Sequence, residues 1–247
     1  MTRKRKNGNG NGNGNGKNDE NSIKINNINN NDKIRLKKNI VIITAKNQSQ
    51  KLALKTIKEK DISVITGIAG SGKSFLAASY ALQELSREKY KKIIISRPCK
   101  EAHGEHLGFL PGDFNEKIYP YMIPVFDCFL KYIDKKQIDF LISEGIIVTL
   151  PLAFTRGVTF EDAIVIGDEF QNTIPEQVRM FLTRKGANSK IIITGDIHQS
   201  DIDGKNGLVD MIERLKDIDK IGFVDLEEPV RDIIIKEIEE KYQKNEK

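Results

Sequence analysis

The chain has 247 residues, 38% of them hydrophobic, enough for one good core with at most a small appendage. Its net charge of +5 is unevenly placed: residues 1–39 hold ten lysines and arginines against three acids, a net +7, which leaves −2 for residues 40–247. That split excludes a globally basic folded domain, two cysteines exclude a disulfide framework, and no apolar run reaches the length of a membrane span.

The first residues are basic, but the Arg3–Lys6 cluster is short for a nuclear signal. Asn and Gly follow it where a secretory leader needs an apolar stretch, so a cytoplasmic location is expected. Residues 7–16 alternate Asn and Gly, and asparagine stays frequent to Asn31. Such a segment buries too little to offset its ordering entropy. Residues 1–37 are therefore predicted as a disordered basic tail, either inert or a tether for nucleic-acid phosphates, and 38–247 as one domain.

Order is expected to begin near Ile40, in the β-branched run 39–44. A helix is predicted over 49–59, with Ala53 and Ile57 on one face, and a strand over 62–66. That strand runs into Gly67-Ile68-Ala69-Gly70-Ser71-Gly72-Lys73-Ser74, which fits G-x-x-x-x-G-K-[ST] at every fixed position. Glycines in this pattern let backbone N–H groups turn inward around a polyphosphate, at the positive end of the next helix. Lys73 would reach the β- and γ-phosphates and the Ser74 hydroxyl would ligate Mg²⁺. Ala78, Ala81, Leu82 and Leu85 then follow at the spacing of a buried helix face, to about Glu88.

A buried strand is predicted over 92–96. Residues 97–124 read as a long structured loop or insertion, where Pro120 and Pro124 argue against an uninterrupted helix. Helices are predicted over 126–133 and 137–143, with Cys128 in the core beside Phe129 and Leu130. Strands over 146–150, 163–167, 190–194 and 221–225 alternate with helices over 175–184, 208–216 and 229–242. This alternation implies a single α/β domain, its mostly parallel sheet covered by helices on both faces.

Two more strand ends carry chemistry. Ile164-Val165-Ile166-Gly167 leads into Asp168-Glu169, where Asp168 can hold the water shell of a metal beside Ser74. Glu169 can orient or deprotonate an attacking water, and its adjacency to Asp168 points to a hydrolase rather than a kinase. Thr194-Gly195-Asp196-Ile197-His198-Gln199 follows another strand, so Asp196 or Gln199 could sense a γ-phosphate and pass on its loss. Cys99, His103 and His106 fall short of a structural zinc pattern.

The phosphate loop, Asp168-Glu169-Phe170-Gln171 and Gly195-Asp196-Ile197-His198-Gln199 together resemble superfamily 1 helicase motors. More narrowly, residues 50–231 are similar to the phosphate-starvation-inducible PhoH family of ATPases. Ser96-Arg97-Pro98, Leu107-Gly108-Phe109-Leu110-Pro111-Gly112-Asp113, Pro120-Tyr121, Pro151-Leu152-Ala153-Phe154-Thr155-Arg156-Gly157, Gln171-Asn172 and Met180-Phe181-Leu182-Thr183-Arg184 all match that family's pattern. The resemblance implies a RecA-like P-loop domain and Mg²⁺-dependent ATP hydrolysis. It further implies coupling to RNA or single-stranded nucleic acid remodelling; the alternative is a nucleotide-dependent module that switches a protein partner without unwinding. Gln50 stands where the family has a glutamine like the adenine-reading one of helicases, which would favour ATP over GTP. By the same resemblance Gln199 couples phosphate loss to motion. Arg231, ahead of Arg156 and Arg184, is the candidate arginine finger, supplied in cis or across a homo-oligomeric ring, a hexamer by resemblance. The departures are Phe170 in place of a small residue, one extra residue in 101–106, and Asp232. No ribonuclease-like segment is expected.

Overall fold

The computed structural model describes residues 41–98, 114–200, 202 and 204–230, with only the backbone given for 114–117. They fall within one unit, Ile34–Lys247. The expected tail over 1–37, the Cys99–His103–His106 cluster and Arg231 lie outside the described residues. So does the predicted C-terminal helix, apart from Pro229 and Val230, which are not helical.

Six strands form one wholly parallel sheet: β1 (Ile62–Gly67), β2 (Lys92–Ser96), β3 (Ile147–Thr149), β4 (Ala163–Gly167), β5 (Lys190–Gly195) and β6 (Ile221–Leu226). Their order across the sheet is β3-β2-β4-β5-β1-β6. Among the described residues six α-helices accompany them: α1 (Gln48–Glu59), α2 (Lys73–Ser86), α3 (Phe114–Phe129), α4 (Lys135–Ser143), α5 (Pro175–Leu182) and α6 (Gly207–Leu215). This is the α/β architecture expected, with single-residue shifts at five of the twelve strand ends.

The strands are apolar on both sides because both faces are covered. Ile65, Ile93, Ile95, Ile164, Ile166 and Ile192 point into a core shared with α1–α4. Their alternating neighbours Val64, Ile94, Val165, Ile191 and Ile193 point into a second core with Val178, Phe181, Leu208 and Met211 of α5 and α6. The period-two alternation thus reads as two buried faces. Local signals set the helix starts. Asn47 caps α1 by accepting from the Gln50 N–H at 2.8 Å, and Asp134 and Gln137 form a capping box on α4. Asn206 accepts from the Leu208 and Val209 N–H groups at the start of α6.

One expectation is corrected. Residues 114–129 form a helix that continues through Pro120 and Pro124, and it ends at Phe129 rather than Ile133. Each proline removes one i→i−4 hydrogen bond, normally a serious cost in a helix interior. Both prolines lie on the exposed face, where water can satisfy the freed carbonyls, while Ile118, Met122, Val125, Phe126 and Phe129 pack into the core. The Tyr121 carbonyl also accepts from the Arg97 guanidinium, and Cys128 Sγ donates to the Pro124 carbonyl at 3.2 Å. Leu130 is exposed and Cys128 is only half-buried. Among the described residues no helix is long and apolar enough to cross a membrane.

Candidate active site

Because every strand runs the same way, the ends of β1, β2, β4 and β5 meet at one edge of the sheet, with β5 between β1 and β4. There a cleft of about 760 Å³ opens, lined by Gln50, Lys73, Ser74, Glu169, Asp196 and Gln199, and on its other wall by Phe75, Cys128 and Tyr132. The loop from β1 to α2 forms its floor. Gly72, the residue before α2, has φ +92°, which favours glycine, and a Cβ there would stand 2.8 Å from Gln50 Nε2. No side chain caps α2 and no acid occupies its first turn, which leaves its N–H groups directed at whatever enters the cleft.

Lys73 Nζ donates to the carbonyls of Gly67 at 2.6 Å and Ile68 at 2.9 Å. Burial lowers its pKa, opposed by the charges of Asp196, Glu169, Asp168 and Asp225. A desolvated ammonium held only by carbonyls is well placed to bind anionic oxygens. Ser74 Oγ donates to Asp168 Oδ1 at 2.8 Å, and Thr194 Oγ1 from the intervening β5 donates to the same oxygen. Asp168 is 2% exposed and its Oδ2 accepts no hydrogen bond, facing Arg97 Nε at 3.4 Å. A carboxylate and a hydroxyl side by side fit a small hard cation that keeps most of its waters. No larger cluster of His, Cys, Asp and Glu able to hold a metal occurs among the described residues.

Glu169 follows immediately and has left-handed backbone, φ 59°, ψ 39°. For a non-glycine residue this costs on the order of 1–2 kcal/mol, a strain that recurs at functional sites. Its Oε2 accepts from Gln171 Nε2 at 2.5 Å, and its Oε1 lies 3.2 Å from Arg97 Nη2. Gln171 Oε1 accepts in turn from the Asp196 N–H at 3.1 Å, joining the ends of β4 and β5. Phe170 turns the opposite way, into the second core, with its ring 4.9 Å from Phe181 and against Gly167, where a Cβ would fall 2.6 Å from it. The large residue at this position therefore fills the core behind Glu169 and stays out of the cleft.

Gln50 is buried, with Oε1 accepting from the Lys46 N–H at 2.8 Å and Nε2 donating to the Ser71 carbonyl at 2.9 Å. One lone pair and one amide hydrogen remain. The Gln199 side chain is exposed at the cleft, and the backbone N–H of this residue donates to the Asp196 carbonyl at 3.2 Å. Arg156 is exposed, Arg184 is half-buried with Nε lacking an acceptor, and neither lines the cleft. Val230, one residue before Arg231, does line it and donates its N–H to the Gly70 carbonyl at 3.1 Å. Sequence reasoning assigned no role to Arg97, Gln171 or Thr194, although all three sit at or just beyond the carboxyl ends of strands. It also missed the wall made by Phe75 and Tyr132, whose rings stack at 6.1 Å.

The strand order, the phosphate-type loop and the carboxylate pair define a RecA-like P-loop protein. A family model described as PhoH-like protein matches residues 42–243, and the chain belongs to that family. It is 41% identical over 209 residues to a PhoH-like protein of Synechocystis sp., covering 83% of this chain and 63% of that protein. It is 43% identical over 206 residues to a PhoH-like protein of Bacillus subtilis, covering 82% and 64%. With the Protein PhoH of Escherichia coli it shares 39% identity over 186 residues, covering 74% and 52%. The chain thus spans less than two thirds of the length of these relatives. Among solved structures, the Pyrococcus furiosus Hef helicase domain aligns over 73% of this chain and 38% of its own, at 13% identity and a TM-score of 0.42.

Proposed function

We propose that the cleft binds ATP with Mg²⁺ and hydrolyses it, and that the cycle remodels RNA or another single-stranded nucleic acid. The convergence of Lys73, Ser74, Asp168 and Glu169 at one strand edge carries this reading. The loop Gly67, Ile68, Ala69, Gly70, Ser71, Gly72 cradles the triphosphate with its backbone N–H groups and the uncapped start of α2. Lys73 exchanges the Gly67 and Ile68 carbonyls for β- and γ-phosphate oxygens. Ser74 and Asp168 hold Mg²⁺, which when bound neutralises charge on the phosphates.

Glu169 takes a proton from the attacking water as its oxygen bonds to the γ-phosphorus; the bond from that phosphorus to the bridging oxygen breaks, giving ADP and phosphate. Gln50 offers its remaining lone pair and hydrogen to adenine, and Gln199, at the cleft rim, relays phosphate loss to the 196–200 loop. Arg231 serves as the finger, supplied to its own site or across a homo-oligomeric ring. The position of Val230 against Gly70 supports a role for this segment at the phosphates.

The test is ATP turnover with and without single-stranded RNA. Stimulation several-fold that disappears in Lys73→Ala is expected. Turnover indifferent to every nucleic acid tested would leave the ATPase standing and favour a switch acting on a protein partner. Glu169→Gln is expected to bind ATP normally while losing about 10²-fold or more in turnover; normal turnover would remove Glu169 from its role. Mixing Arg231→Ala with Lys73→Ala chains should recover activity if the finger acts in trans, and no recovery in verified mixed assemblies would exclude it.

A further inference from the structure

The strongest unexplained feature is the way both carboxylate oxygens of Glu169 are already held. Arg97 follows the last residue of β2, and Ser96 pairs in register with Gly167, the last residue of β4. The Asp168 N–H donates to the Ser96 carbonyl at 2.9 Å, so Arg97 and Asp168 leave the sheet side by side. The Arg97 backbone is fixed as well, its carbonyl accepting from the Leu152 N–H at 3.1 Å. Its side chain is 14% exposed, with Nε toward Asp168 Oδ2 at 3.4 Å, Nη2 toward Glu169 Oε1 at 3.2 Å, and Nη1 on the Tyr121 carbonyl of α3. On the far side Gln171, 3% exposed, holds Glu169 Oε2 at 2.5 Å while its own oxygen is fixed by the Asp196 N–H.

We infer that Arg97 is a positioning residue for Glu169: with Gln171 it sets the direction of that carboxylate, and it ties this setting to α3. This rests on the ATPase reading above. A planar guanidinium presents its N–H donors in a fixed fork and so can address a carboxylate on β4's end, its neighbour and a helix carbonyl at once. An ammonium supplies the same charge at a single point and cannot span them. The position of α3 is therefore read at the catalytic carboxylate through one side chain, and a shift of Tyr121 moves the support of Glu169.

Arg97→Lys tests this, because the positive charge beside Asp168 and Glu169 is kept while the span is lost. Turnover is expected to fall about ten-fold or more, within the range that general bases contribute. Affinity for a fluorescent ATP analogue, measured by titration, should change less than about three-fold, separating kcat from binding. In a Glu169→Gln background the same substitution should cost less than about two-fold in single turnover, since its effect acts through Glu169. Gln171→Met, which removes the opposite donor, should show the same pattern and serves if Arg97→Lys does not fold. Wild-type turnover with Arg97→Lys or Gln171→Met within two-fold of it overturns the role, as does an equal loss in both backgrounds. A wild-type chain that binds ATP in no assay overturns the ATPase reading first, and this role falls with it.

Discussion

Gln50 illustrates how much a single side chain does at this site. Its amide links the Lys46 N–H to the Ser71 carbonyl and packs against Gly72, so it braces the phosphate loop before any base arrives. Removing it loosens the loop for every triphosphate and deprives adenine of a partner as well. Gln50→Ala is therefore expected to weaken ATP and GTP together, ATP more, by about ten-fold for a lost buried hydrogen bond. Competitive displacement of a fluorescent nucleotide measures both, and unchanged ATP affinity would refute the brace. Gly72→Ala acts on the same contact from the other side. Its strained φ and the 2.8 Å approach to Gln50 Nε2 predict a loss of about 1–2 kcal/mol in stability, read by urea unfolding, together with weakened triphosphate binding.

Among the elements, α3 carries the clearest energetic conflict. Pro124 gives up a backbone bond on an exposed face, and alanine there should restore it. Pro124→Ala is expected to raise the melting temperature by a few degrees, equivalent to about 1 kcal/mol for a domain of this size. A lowered value would show that proline's shape at the cleft wall matters more than the bond. This helix was also the least legible element. The strands announced themselves as β-branched runs, three of them (β1, β4 and β5) ended by glycine. A proline's cost, by contrast, depends on which side of a helix faces water, and that is decided by packing from distant residues. The site divides in the same way. Its loop, Asp168-Glu169 and Gln199 were legible as local patterns. Arg97 was not, because its role needs β2 beside β4, and residues 96 and 167 meet only in the folded sheet. Gln171 stood in a recognised motif, but its bond to the Asp196 N–H depends on β5 lying next to β4.

For the molecule as a whole, the edge of the sheet opposite the cleft carries a titration signal. Lys190, at the start of β5, is buried there and donates to the Lys60 carbonyl. Burial, helped by the charge of Lys89, pushes its pKa down to about 8 from the ordinary 10.5. Between those values the unfolded chain binds a proton that the folded chain does not, so stability rises as pH climbs from about 8 to 10.5. The rise should be on the order of 1–3 kcal/mol. Urea midpoints across that range should climb for the wild type and lose this component in Lys190→Met; identical slopes would show that Lys190 does not titrate there. The strand order has a further consequence, for synthesis. β1, near the start of the domain, is flanked by β5 and β6, the last strands made, with Ile62 aligned to both Ile191 and Ile221. As the chain leaves the ribosome, the strand bearing the phosphate loop must wait with both edges unpaired until nearly all of the domain has been translated. It is then the segment most in need of a chaperone, and a stalled or prematurely terminated product would expose it to aggregation.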